Sequence, residues 1–171
     1  VSSLAASAFV DNRIYKLNST INGNVWNKAS GYNSFIEGDN KIYAGWGVSN
    51  GFNALTANNQ YLFYYNGKNL KAFKLTNGDT VGYPLSISAH VLKMQGGIES
   101  DNCNNVYIGG NNGNVLIYNF DGLNFNFVRQ VFISGHSGKS IYDLKANKKN
   151  NKLYVSGNGF VAETLFSGCD S

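Results

Sequence analysis

Proline occurs once, at Pro84, and cysteine twice, at Cys103 and Cys169. Charged residues make up only 14% of the chain. There is no run of 18 apolar residues, so no helix is expected to cross a membrane. No basic-then-apolar leader is present, although a mature secreted chain would already have lost one. The opening "VSSLAASAFV" has no initiator methionine and is expected to lie inside a longer polypeptide. The cysteines belong to no metal-ligand cluster, can either pair or stay free, and are too few to indicate a compartment. A formal net charge of +4 is scattered along the chain. Its densest group, "KANKKNNK" at Lys145 to Lys152, sits between two apolar runs and has the pattern of an exposed hairpin loop. A nucleic-acid binder would gather basic and aromatic residues on one surface. Nucleic acid is therefore not an expected partner.

What the chain does have is 43% hydrophobic and 14% aromatic residues over 171 positions, enough for one folded domain with a sizeable core. Asparagine is abundant, and 20 glycines stand against the single proline. Both residues tolerate positive φ, which suits many short strands joined by tight turns. Few stretches look helical. The Asn-rich surface leans toward the outside of a cell.

Three segments share one pattern: "NQYLFYYNGKNLKAFKLTNGD" from Asn59, "NNVYIGGNNGNVLIYNFDG" from Asn104 and "NNKLYVSGNGFVAETLFSG" from Asn150. In each, an aromatic and β-branched run reaches an Asn-Gly pair and is followed by a second run. The pairs Asn66-Gly67, Asn112-Gly113 and Asn158-Gly159 are each 46 residues apart. The second runs align at Ala72, Ile117 and Ala162, each 45 apart. Asn-Gly favours a tight hairpin because both residues can take positive φ. Fixed turn chemistry also guards against a register slip that would turn the apolar side chains outward. A further turn follows at Asn77-Gly78 and Asp121-Gly122, and at Asn22-Gly23 in a partial copy at the start. Third strands are expected at Val25-Trp26, Thr80-Val81 and Phe125 to Val128. Opening strands are expected in "FNALTA", "MQGGIES" and "IYDLKA".

Four strands per unit of about 45 residues is the signature of a β-propeller blade. The fold class is therefore all-β, a propeller or propeller fragment in a single domain over residues 1–171. Its expected parts are a partial blade at 1–27, a degenerate or inserted hairpin at 33–48, and blades near 53–82, 95–128 and 140–168. A sandwich does not require such regular turn positions, and a parallel β-helix has shorter repeats. A β-prism or other barrel accounts less well for the repeat. At this length the chain supplies nearly four blades, at the lower end of closed rings, so either the ring closes here or the chain is part of a larger one. The second is favoured, and an open blade would invite association.

"IYKLNSTINGNVW", from Ile14 to Trp26, resembles the blade ending of quinoprotein-like (PQQ-like) propellers. There a strand ends in an acidic or amide residue, turns through Thr-Gly or Asn-Gly, and reaches a tryptophan that docks on the next blade. Asn18, Gly23 and Trp26 match, although Ile21 is inserted and later copies lack the tryptophan. "DNCNNVYIGGNNGNVLIYNFDG" with "NNKLYVSGNGFVA" also resembles secreted propeller segments of large Bacteroidota surface proteins, including gliding-motility-associated ones. These resemblances imply an extracellular or cell-surface setting within a longer protein. They transfer neither an enzyme activity nor a cofactor.

No catalytic motif emerges. His136 in "SGHSGKS" lies among serines but lacks the G-x-S-x-G elbow, and the same stretch lacks full phosphate-loop spacing. His136 and Trp46, the latter set among glycines, are the candidate ligand contacts. Asp101, Asn102, Asn104 and Asn105 form an oxygen-rich loop that fails the calcium-loop spacing and reads first as a turn. Glu37, Asp39, Glu99 and Asp101 cannot be paired from sequence into a glycosidase dyad. Tyr61, Phe63 and Tyr65 alternate, which predicts one packed and one wet face. The expected function is a non-catalytic scaffold contacting other protein segments or chains. A lectin-like glycan binder is the alternative, and a hydrolase or lyase at the channel is a weaker reading. No cofactor or metal is expected.

Overall fold

The computed structural model describes residues 3–10, 13–20, 23–28, 34–36, 55–65, 69–76, 79–87, 97–166 and 169. Among them are fifteen strands and no helix. The first sheet contains β1 (Ser3–Val10), β2 (Arg13–Thr20), β3 (Gly23–Lys28) and β4 (Ser34–Ile36). The second contains β5 (Leu55–Ala57), β6 (Tyr61–Tyr65), β7 (Asn69–Lys74) and β8 (Thr80–Ser86). The third contains β9 (Ile98–Ser100), β10 (Asn105–Gly109), β11 (Asn114–Phe120) and β12 (Phe125–Phe132). The last contains β13 (Ile141–Asn147), β14 (Lys152–Gly157) and β15 (Phe160–Leu165).

Each sheet is an antiparallel meander in chain order, so short turns suffice to build it. The opening strands lie side by side: β1 against β5, β5 against β9, and β9 against β13. Sheets are thus stacked face to face around a common inner edge, which is propeller-type architecture. The first and last sheets share no strand among the described residues.

Among the described residues, one apolar cluster fills the space between the second and third sheets and another that between the third and last. Phe63, Tyr65, Leu70 and Ala72 of the second sheet meet Val106, Ile108, Phe120 and Phe125 of the third. Phe63 and Phe120 pack edge to face with centroids 5.9 Å apart, a favoured geometry for two π faces. Tyr107, Val115 and Ile117 on the other face of the third sheet meet Ile141, Leu144, Leu153 and Val155 of the last. Burying each such side chain stabilises by about 1.5–3 kcal/mol. The alternation in β6 does not divide a packed face from a wet one. Leu62 and Tyr64 are as buried as Phe63 and Tyr65, because an inner sheet is covered on both sides.

The start of the chain also departs from the expected partial blade. Leu4 lies in β1, the inner strand of the first sheet, which packs against β5. The segment assigned to an inserted hairpin contributes β4, which pairs Phe35 with Trp26 and makes the first sheet four-stranded. The unit therefore runs through Ile36 instead of stopping near residue 27. Inner strands β5, β9 and β13 then begin at Leu55, Ile98 and Ile141, at even intervals of 43 residues.

The turns differ in conformation too. At the described pairs Asn112-Gly113, Asp121-Gly122 and Asn158-Gly159 only the glycine has positive φ, so none is the turn with two positive φ values that Asn-Gly suggests. Gly23 opens β3 opposite Thr20, and Asn22 lies outside the described residues. Asn66, Gly67, Asn77 and Gly78 lie outside them as well.

Candidate functional site

Hairpin turns and sheet-to-sheet connections gather at the two ends of the stacked sheets. At one end, the β10–β11 turn supports the connection from β12 to β13. Asn112 Oδ1 accepts a hydrogen bond from the Gly138 N–H at 2.6 Å, and Gly113 N–H donates to the Lys139 carbonyl at 2.6 Å. A Cβ on Gly113 would run into the His136 carbonyl, and its φ of +64° already disfavours any side chain. His136 stacks on Phe160 with centroids 4.0 Å apart and planes 10° from parallel. The Asn158 N–H donates to the Ser140 carbonyl at 2.9 Å, closing the cluster. His136 thus has a packing role here, and its Nδ1 is buried without a hydrogen-bond partner among the described residues. Trp46 lies outside the described residues, and Trp26 is placed in β3 by its backbone alone.

At the opposite end, one device recurs at the ends of three inner strands, β5, β9 and β13. Asn58 Oδ1 accepts from the N–H groups of Gln60 and Tyr61, Asp101 Oδ1 from those of Cys103 and Asn105, and Asn147 Oδ1 from that of Lys149. A short side chain that bonds its own following backbone fixes the turn. Asp121 does the same between β11 and β12. Backbone donation from Asn124, with help from Asn126 and Leu123, holds its carboxyl below the ordinary aspartate range. Sequence reasoning missed this series, though an amide or acid at the end of β5, β9 and β13 was its signal.

The suspected calcium loop is one of these turns. Asp101 Oδ2 also accepts from Asn105 Nδ2 at 2.8 Å and the Tyr107 hydroxyl at 3.0 Å, so both carboxylate oxygens carry internal donors. The loop docks on its neighbour through Asn58 Nδ2, which donates to the Asp101 carbonyl at 2.9 Å and to Asn104 Oδ1 at 2.8 Å. The two cysteines are paired, joining the Cys103 turn of the third sheet to Cys169 beyond β15. Cys169 edges a shallow depression together with Asp101, Asn102, Lys148, Asn151 and Phe166.

Glu99 and Asp101 do not form a dyad. Glu99 is buried between β9 and β13, where it accepts from the Ala146 N–H at 3.2 Å and pairs with Lys145 at 3.4 Å. Desolvation raises its pKa, and Lys145 and the Ala146 N–H offset part of that rise. Glu37 and Asp39 lie outside the described residues. Burial likewise raises the Tyr65 pKa, its hydroxyl being unpartnered among the described residues. Both groups sit within the packing of the sheets, Glu99 between β9 and β13 and Tyr65 in the cluster between the second and third sheets.

The surface that stands out is the outward side of the last sheet. In the second and third sheets, the residues turned toward the following sheet are Phe63 with Ala72, and Tyr107 with Ile117. In the last sheet the same places hold Tyr154 with Glu163, and Val161 stands where Val115 stands in the third. Val115 is 1% exposed, whereas Val161 and Leu165 are each 80% exposed. A charged pair, Lys152 to Glu163 at 2.6 Å, crosses this side. Exposed apolar patches rimmed by polar groups mark interaction surfaces.

This all-β arrangement is that of a β-propeller segment. No family model matches the chain, and no curated protein matches it. Among solved structures, it is similar to BamB from Moraxella catarrhalis at a TM-score of 0.63 and 11% identity, covering 96% of this chain and 50% of that one. The WD40 domain of Toxoplasma gondii coronin gives a TM-score of 0.60 at 11% identity, over 95% of this chain and 42% of that one. Myxococcus xanthus glutaminyl cyclase gives 0.52 at 15% identity, over 94% and 72%. The chain spans half or less of the first two. At these identities the likeness shows the fold alone.

Proposed function

We propose that the chain is a non-catalytic interaction module of an extracellular or cell-surface protein, a scaffold segment within a larger polypeptide or complex. One observation carries this reading. The side of the last sheet that would receive a further sheet is open, with Val161 and Leu165 each 80% exposed where the equivalent Val115 is buried. The solved structures it resembles include WD40 domains as well as a glutaminyl cyclase, so the likeness is compatible with this reading without selecting it. The Cys103–Cys169 bond supports an oxidising compartment.

A photo-crosslinking amino acid at Tyr154, introduced in the native host, tests the reading. Adducts are expected to map to defined peptide segments of protein, at a yield well above that of the same probe at Leu123, which is 51% exposed. Equal yields at both sites would defeat the proposal, and adducts to sugar would favour the lectin alternative. For the compartment, thiol alkylation of intact cells before reduction should leave Cys103 and Cys169 unlabelled. Labelling at that stage would place the protein elsewhere.

A further inference from the structure

The turns after the inner strands of the second and third sheets are latched by a side-chain amide. Asn58 Nδ2 donates to the Asp101 carbonyl at 2.9 Å and to Asn104 Oδ1 at 2.8 Å. Asp101 holds the place of Asn58 in the third sheet, and its ionised carboxylate has no proton to donate onward. Both of its oxygens are taken by N–H and O–H groups of its own turn and the strand after it. At this end of the junction between the third and last sheets, the cross-link is the Cys103–Cys169 bond.

The position of Cys169 follows from the repeat. The Phe120 N–H donates to the Asn104 carbonyl at 2.9 Å, and the Phe166 N–H donates to the Asn151 carbonyl at 2.8 Å. Asn104 and Asn151 also share a positive φ. The chain therefore leaves β15 as it leaves β11, where the next turn brings Gly122 near Tyr61 of the second sheet. The two sulfurs have unlike surroundings. Cys103 is exposed in its turn. Cys169 is half-buried at the depression edged by Asn102, Lys148, Asn151 and Phe166, with its Sγ 3.9 Å from Asp101 Oδ1.

We infer that Cys103 is a thiol-exchange site, at which a small monothiol displaces Cys169. The incoming thiol loses its proton, and its sulfur bonds to Cys103 Sγ as the Cys103–Cys169 bond breaks. Cys169 leaves with the electron pair and takes up a proton. One disulfide replaces another, so no separate oxidant or reductant is consumed. Solvent beside Cys103 leaves room for the adduct, whereas the half-buried Cys169 has less. The Asp101 carboxylate favours the neutral form of the released Cys169 thiol, and the neutral form is not a nucleophile. Both factors place the adduct on Cys103 and slow reclosure. Exchange would unlatch the turn of the last sheet from that of the third, while β10 and β11 stay packed on both faces.

The probe is free cysteine, added in millimolar amounts to the oxidised full chain at mildly alkaline pH. Acid quenching, alkylation and peptide mapping by mass spectrometry then read each sulfur. A cysteine adduct is expected on Cys103 in several-fold excess over Cys169, with Cys169 recovered in alkylated form. Hydrogen exchange of the same sample should rise in residues 147–151 and at Phe166, with β10 and β11 unchanged because the chain remains folded. Exchange that begins only when urea unfolds the chain overturns the inference. Adducts shared equally between the sulfurs, or gathered on Cys169, overturn it too. Without added thiol the bond stays closed, so alkylation of intact cells reads the compartment separately.

Discussion

Phe63 and Tyr154 hold equivalent places in two sheets of one design, yet Phe63 is 0% exposed and Tyr154 is 37% exposed. Val115 and Val161 differ further, at 1% and 80%. The strands alone do not decide burial. A β6-type strand becomes core only because another sheet arrives on its far side, and the last sheet has no such neighbour among the described residues. The composition follows that difference: Ala72 and Ile117 face the next sheet where Glu163 faces solvent.

The largest expected effect tests this contrast directly. Phe63→Ala should cost about 3–5 kcal/mol, read by urea unfolding, because it empties a closed apolar space. Tyr154→Ala should cost a small fraction of that, and equal losses would mean that the two sites are packed alike. Next in size is the covalent tie on the closed side. Replacing both Cys103 and Cys169 by serine should lower stability by about 2–4 kcal/mol, since the bond closes a long loop. The separation is 66 residues. Gly113→Ala is expected to cost about 1–3 kcal/mol through positive φ, with a collision against the His136 carbonyl adding to it. Amide exchange should then rise in residues 133–140 before it rises in β6.

The smallest effect concerns Glu99, a carboxylate buried between β9 and β13. Glu99 holds its proton to higher pH when folded than when unfolded. The folded state therefore binds more protons within that window, and stability falls as pH rises from the ordinary glutamate value of 4.5 through the raised one. The slope is at most about 1.4 kcal/mol per pH unit. Glu99→Gln should flatten this decline in urea midpoints measured across acid pH. An unchanged profile would remove Glu99 as its source.

The repeat was legible because hairpin turns carry a strong chemical signature at constant spacing. "NNVYIGGNNGNVLIYNF" maps onto β10 and β11 for that reason. The first sheet was misread by one strand because inner strands are short: β5 and β9 have three residues each, too few to show a period. β4 is equally short and was taken for part of a hairpin. Asn58, Asp101 and Asn147 act through bonds to their own backbone, a role that composition conceals. Pairing of Cys103 with Cys169 depends on where the chain turns after β15, which no local pattern reports. In the strands, Glu163 in the place of Ala72 and Ile117 is the one local mark of the open face, and the rest of the difference lies in the neighbour.

The Cys103–Cys169 bond has a mechanical consequence. Tension applied on the C-terminal side of Cys169 passes through the disulfide to the turn between β9 and β10. It bypasses β13, β14 and β15, which lie within the closed loop and would otherwise be peeled strand by strand. Under load, the last sheet is shielded and the inner edge of the third carries the force. Reduction would reroute that force through β15 and the rest of the last sheet.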